Sequence, residues 1–311
     1  MTGERGVGER LLGLARQRLR MGDARGAVEP LRRVLSEDPN LAEAHALLAC
    51  ALHNTKRIFA ARVECELALQ LDPESVTGHL ASSFVAVAER KPQLAEQHVE
   101  AAIALAPENP AGYEARARVY RLRGDRRAER EALERALSLE PEDANVLAKL
   151  GSLDLWARNY VSAEKYAQQA LENEPENGEA LCLKGYVHLA RGEIDAARDH
   201  ALWALRNGKQ ERALHLLAAI KARQSFVLGL WWRYSVWLSA MGEGRIATVL
   251  VGSFLVYRVA AALVQQHGLR QGAELVNYAW YGICAYSWFG PALFRRSLRR
   301  ELAQIELRKD F

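Results

Sequence analysis

Over the first two thirds of the chain, apolar residues return every three or four positions in stretches of roughly a dozen, separated by short polar clusters. That spacing places them on one face of a short helix. The polar clusters read SEDPN, LDPES, LAPEN, LEPED and NEPEN, and they set prolines at Pro39, Pro73, Pro107, Pro141 and Pro175, each 34 residues from the last. Two short helices fit between successive prolines. After Gln224 the composition changes, and three longer apolar stretches follow at 225–241, 246–264 and 275–294.

Other positions keep the 34-residue phase. Twelve residues before each proline stand Ala27, Ala61, Ala95, Glu129 and Ala163; five before stand Val34, Ala68, Ala102, Ala136 and Ala170. A sixth copy continues with Ala197 and Ala204, although Lys209 replaces the proline. Small residues let two helices approach closely. Gly22, Gly124 and Gly192 suit the turn after the first helix of a pair. Proline closes the second helix, because it lacks an N–H and disfavours helix in the residue before it. One pair cannot bury its apolar face alone, whereas stacked pairs can, which predicts a right-handed solenoid.

This pattern resembles the tetratricopeptide repeat over about Glu9 to Arg212. Tyr113 and Tyr120, Leu150 with Gly151, and Gly185 match the aromatic, leucine and glycine positions of that family. Glu129 at a usual alanine, His45 and His79 at a usual aromatic, and Asp154 at a usual tyrosine depart from it. The expected fold class is all-α: a superhelical solenoid of about six helix pairs with a capping helix (Gln210 to Gln224) over 1–224, then C-terminal apolar helices over 225–311. The resemblance implies a concave groove lined by the first helices, where peptides or partner helices bind. Its register places His53, Phe84, Arg118, Arg121, Asn145, Ser152, Trp156 and Tyr186 on that groove, and exposed aromatic and Arg side chains make good anchors. A carboxylate-gripping variant is not expected, because Ala46, Cys50, Leu80 and Phe84 stand where its Lys and Asn would.

The C-terminal region predicts contact with lipid. A crossing helix needs about 20 residues at 1.5 Å each, a length that 246–264 and 275–294 meet. The stretch 225–241 is shorter and reads as an interfacial helix. Ten Ile, Leu, Val or Phe residues in 246–264 favour insertion by roughly 3–6 kcal/mol, and Arg258 takes back about 3 kcal/mol if it is central. The expected membrane-interface residues are Trp231, Trp232, Arg233, Trp237 beside Leu238, Arg258, Trp280, Trp288, Arg295 and Arg296. The basic tail 295–311 would stay on the cytoplasmic side, so two crossings would leave both ends there. The competing expectation packs the apolar helices against the last repeats, other subunits or a second copy of the chain.

Charge agrees with this division. From Arg223 onward there are 11 Lys and Arg against 5 Asp and Glu, leaving 31 against 33 before it. A basic end beside apolar segments suits an anionic membrane rather than nucleic acid. The N-terminus has charges where a secretion signal needs an apolar run, which predicts that the repeats face the cytoplasm. The four cysteines are scattered and contain no CxxC pair, which fits a reducing compartment. No P-loop, nucleophile elbow, HExxH or dinucleotide fingerprint occurs, so neither catalysis nor a cofactor is expected. His45, Cys50, His53 and Cys65 share one repeat, but the register points them in different directions, so no metal is expected. The layout resembles bacterial proteins that join such repeats to a short hydrophobic C-terminal region. The expected function is a scaffold for protein partners, held at the cytoplasmic face of a bacterial inner membrane. The alternative is a soluble subunit of a larger assembly.

Overall fold

The structure is a computed structural model that describes residues 2–206, 210–224 and 243–266, together with 274, 276–278, 280–282 and 284. Its described elements are all α-helices. The chain divides into two compact units, Met1–Val187 and His188–Phe311.

The first unit is a series of antiparallel pairs: α1 (Thr2–Arg20) with α2 (Ala24–Glu37), α3 (Ala42–Asn54) with α4 (Ile58–Leu71), and α5 (Val76–Ala88) with α6 (Pro92–Leu105). Then come α7 (Pro110–Arg123) with α8 (Arg126–Leu139), α9 (Ala144–Trp156) with α10 (Tyr160–Asn173), and the start of α11 (Gly178–Arg191). Each first helix ends on a left-handed residue. Gly22 and Gly124 have φ of 80° and 79°, and Lys56, Arg90 and Arg158 stand in the same phase at 64°, 59° and 60°. The geometry is that of a paired-bond helix stop. At Gly124 its N–H donates to the Arg121 carbonyl and the next N–H, of Asp125, to Tyr120. Lys56 and Arg57 repeat the pattern on His53 and Leu52. The second helix then begins at once, capped where the sequence allows: Asp23, Asp125 and Asn159 accept from Gly26, Ala128 and Ser162. Arg57 and Lys91 hold the same place without a side-chain cap.

The alanines in phase do the packing. Ala27, Ala61, Ala95 and Ala163, with Ala68, Ala136 and Ala170, are fully buried, so helix backbones approach as closely as the small side chain permits. Gly151 takes this further: a Cβ there would lie 2.5 Å from Leu183 and 2.9 Å from Tyr166. Larger side chains such as Leu31, Leu133, Leu147 and Leu150 fill the space between pairs.

The departures from the repeat pattern have local explanations. Six residues after each of three prolines, a polar ring tip reaches back to the proline carbonyl: His45 Nε2 to Pro39 and His79 Nε2 to Pro73 at 2.9 Å, and the Tyr113 hydroxyl to Pro107 at 3.1 Å. Histidine thus makes the same bond as the phenol. Asp154 is buried but accepts from Arg130 and Ser162, both at 2.5 Å. Glu129 is 1% exposed. It meets Arg121 through Oε1 at 2.6 Å, while its Oε2 has no partner among the described residues.

The second unit holds the end of α11, then α12 (Ile194–Arg206), α13 (Gln210–Gln224) and α14 (Glu243–Gln266). Ala213, Leu216, Leu217 and Ile220 of α13 are buried, and Arg223 donates to the Leu189 carbonyl at 2.5 Å. The helix expected over Gln210–Gln224 is therefore present as a packed element. Beyond α14, Trp280 stacks on Tyr257 with centroids 4.8 Å apart. The Tyr257 hydroxyl donates to Asn277 Oδ1 at 2.8 Å.

Among the described residues, no helix is long and apolar enough to cross a membrane. This corrects the crossing expected at 246–264. That stretch lies within α14, where Gly252, Ser253, Tyr257 and Arg258 interrupt the apolar run and Glu243, Arg245, Gln265 and Gln266 flank it. Only parts of 275–294 are described, and 225–241 and 295–311 lie outside the described residues.

Candidate partner-binding groove

The first helices stand side by side: α1 touches α3, α3 touches α5, and α5 touches α7. A side chain repeated every 34 residues therefore meets its counterparts on a single strip. Three of the expected groove residues come together there. His53 of α3 lies against Phe84 of α5 with ring centroids 6.2 Å apart, and Arg118 of α7 lays its guanidinium over the same ring at 4.4 Å. All three are half-buried.

Electrostatics follow from that burial. Loss of water lowers the His53 pKa below its ordinary value, and the Arg118 charge adds to the effect. Burial also lowers Arg118, with the Glu114 carboxylate opposing. Among the described residues Arg118 has no hydrogen bond or ion pair; the direct contact of its charge is with the Phe84 face. Burial pushes the Cys50 thiol up to about 11, despite the pull of Arg118. Such a thiol is a packed hydrophobe rather than a nucleophile.

Sequence reasoning missed the next members of the strip. Lys149 of α9 pairs with Glu114 of α7, and burial lowers the Lys149 pKa. The signal was legible in part: Glu114 precedes Arg118 by four residues, on the same helix face.

The remaining expected residues are spread out. Arg121 is drawn to Glu129 of α8. Asn145 accepts from Asn177 at 3.2 Å, and the Ser152 hydroxyl donates to the carbonyl of Ala148 in its own helix at 2.7 Å. Trp156 is 74% exposed, with the Arg126 guanidinium 5.2 Å from its ring. Tyr186 is half-buried, and burial pushes its phenol up to about 12.

The tetratricopeptide-repeat family profile matches residues 148–212. Solved structures extend the likeness. A tetratricopeptide repeat protein from Parabacteroides merdae shares 16% identity at a TM-score of 0.57, over 69% of this chain and 84% of its own. A thermophilic repeat protein of Thermus thermophilus shares 23% at 0.53, over 59% and 98%. PilW, a type IV pilus biogenesis factor, shares 19% at 0.51, over 68% and 98%. The fold is that of tetratricopeptide-repeat proteins. No curated protein matches the sequence.

The strip of first helices gathers half-buried aromatic and charged side chains from several repeats. At the carboxylate-gripping positions, Ala46 is fully buried and Leu80 packs into the core beside Phe84, so neither supplies a donor. The four metal-type residues of the second repeat are engaged separately. His45 joins Glu64 at 2.7 Å and the Pro39 carbonyl. Cys65 is buried, its thiol pushed up to about 12 by desolvation despite a hydrogen bond with Ser82. Among the described residues no group of three or more His, Cys, Asp or Glu is placed to hold a metal.

Of the expected membrane-interface residues, Arg258 is exposed and Trp280 packs on Tyr257. Trp231, Trp232, Arg233, Trp237, Leu238, Trp288, Arg295 and Arg296 lie outside the described residues.

Proposed function

We propose that this protein is a scaffold that docks a protein or peptide partner on its strip of first helices and is stationed at the cytoplasmic face of a membrane, in a bacterium the inner membrane. The observation that carries the docking half is the His53–Phe84–Arg118 stack. It spans three helices, stays half-exposed, and includes a desolvated guanidinium without an ion pair among the described residues. Such an aromatic–Arg anchor is what interface hot spots are made of.

The stationing half rests on α14. Phe254, Leu255, Val256, Val259 and Leu263 are exposed on it at 48–70%, a run of apolar surface that water disfavours by about 25 cal/mol per Å². Lying along the lipid interface would cover this surface without requiring a span. Tethering raises the local concentration of a partner without new contacts. A second reading has its own support: in the Tyr257–Trp280 stack, aromatic residues of this region already pack against protein, so a second copy of the chain could cover the rest.

The test is twofold. Membranes carrying the full chain are washed with carbonate, and the chain is sized in solution after truncation at Gln224. Retention by membranes, with a soluble and monomeric truncation, is the expected outcome. Release of the full chain as a defined oligomer supports the second reading instead. For docking, partners captured by the full chain are compared with those of Phe84→Ala and Arg118→Ala variants; unchanged capture by both would remove the stack from the interface.

A further inference from the structure

Stacked helix pairs present two edges in the unit Met1–Val187, one built from the turns inside each pair and one from the proline loops between pairs. Charge is divided between them. The inner turns expose Arg20, Lys56, Arg90, Arg126, Arg127 and Arg158. The proline loops expose Asp38, Asp72, Glu108, Glu140 and Glu174, and the segments SEDPN, LDPES, LAPEN, LEPED and NEPEN contain no Lys or Arg. Asp23, Glu89 and Asp125 also fall at these turns, and Arg127 pairs with Glu131 at 3.0 Å, but the cations are in excess. Lys56, Arg90 and Arg158 have no carboxylate partner among the described residues.

The basic edge carries a second feature. The four most exposed large apolar side chains described in this unit are Met21 at 76%, Phe59 at 72%, Trp156 at 74% and Val161 at 77%. All four lie at or beside the inner turns: Met21 next to Gly22, Phe59 in the first turn of α4, Trp156 at the end of α9 and Val161 at the start of α10. Among the described residues the proline edge has nothing equivalent.

We infer that this edge is a membrane-facing surface, its cations meeting anionic lipid phosphates while Met21, Phe59, Trp156 and Val161 enter the headgroup layer. Cations attract the surface at long range, and Trp and Phe favour the zone between water and hydrocarbon. The acidic edge is repelled, so the field orients the solenoid as well as attracting it. A nucleic-acid duplex would satisfy the cations but offers no apolar layer for the four protruding side chains. The inference rests on the proposed stationing at a membrane, yet uses none of the residues of the C-terminal region.

The experiment is flotation of the full chain with vesicles of phosphatidylcholine alone or mixed with phosphatidylglycerol. It compares the native chain with Lys56→Glu/Arg90→Glu/Arg158→Glu and with Phe59→Ser/Trp156→Ser, and circular dichroism checks that the helices persist. Each basic side chain near an anionic surface contributes about fivefold in affinity. The charge-reversed chain should therefore lose on the order of hundredfold on mixed vesicles and nothing on neutral ones. The Phe59/Trp156 variant should bind mixed vesicles more weakly with its salt dependence unchanged. An anionic preference that survives both variants would belong to the basic tail and would overturn the inference. So would charge reversal that abolishes binding to duplex DNA while sparing vesicles. Absence of binding to neutral vesicles, with edge-dependent binding to mixed ones, would instead sink the apolar tether and leave this surface standing.

Discussion

Glu129 shows how a single residue can break a repeat and still be accommodated. Five of six equivalent positions are alanine, because backbones meet there. The sixth buries a carboxylate with one oxygen matched by Arg121 and the other, among the described residues, by nothing. Removing Arg121 leaves that charge uncompensated, so Arg121→Ala should cost about 3 kcal/mol. Arg121→Ala combined with Glu129→Ala should restore most of the loss, as read from chemical denaturation; equal losses in both variants would show that the pair does not set stability. Histidine at 79 gives a second residue-scale prediction. Its Nε2 donates to Pro73, so its Nδ1 accepts from His98 Nδ1 at 3.2 Å. Burial, and then the facing His79, hold the His98 pKa below 6.5. The folded state therefore resists a proton that the unfolded chain takes up. The stabilisation is complete above about pH 6.5 and is lost as pH falls towards the lower folded pKa. Between pH 7 and pH 5 the native chain should lose more stability than His98→Ala, which has no proton to refuse; parallel slopes would contradict this. Both features were visible in sequence only as departures from a pattern. A carbonyl six residues upstream, waiting for a donor, becomes evident only once the helix is built.

Helix ends are the most legible level of this molecule. Gly22, Gly124 and Gly192 were readable as turns from sequence, and all three have positive φ. What the letters concealed is that Lys56, Arg90 and Arg158 adopt the same left-handed conformation, because the 34-residue geometry requires it whichever residue stands there. A side chain in that region costs about 1 kcal/mol or more relative to glycine. Lys56→Gly and Arg158→Gly should each raise stability by about 0.5–1 kcal/mol after the extra freedom of the unfolded glycine is allowed for. Gly124→Ala should lower it by about 1 kcal/mol. Arg57 begins α4 without a cap where Asp23 and Asp125 supply one, so Arg57→Asp should add about 1 kcal/mol. Thermal unfolding of the four variants checks the set, and a destabilised Lys56→Gly would mean that its side chain makes a contact worth more than the backbone strain. The segregation of charge between the two edges was equally open to reading. A count of charges along the chain hides it, because each charge takes its edge from the end of the helix on which it falls.

At the scale of the whole molecule, the repeat phase made the helical pairs readable, and of the eight residues it placed on one strip, His53, Phe84 and Arg118 meet. The C-terminal stretch was not readable, because apolar length alone does not distinguish lipid from protein as the covering surface. The solenoid's modularity gives the last prediction. Each pair contacts its neighbours and little else, so stability is close to a sum of repeat and interface terms. Residues 76–109 form one full period, and their removal joins Ser75 to Pro110 in phase, with α4 delivered to the place where α6 stood. The apolar faces that then meet are built from the same alanine positions: Ala61 and Ala68 replace Ala95 and Ala102, each almost fully buried. The shortened chain should therefore fold cooperatively, with helicity per residue unchanged and only a modest loss of thermal stability. It should nevertheless lose its partner, because Phe84 is the ring on which both His53 and Arg118 rest. Without it Arg118 keeps its neighbour Glu114 but faces Cys50 and His53 directly, with no aromatic plane between them. Circular dichroism melting and partner capture, measured on the same preparation, separate the two effects. A deletion that binds normally would place recognition outside the stack, and one that fails to fold would show that these repeats are not interchangeable modules.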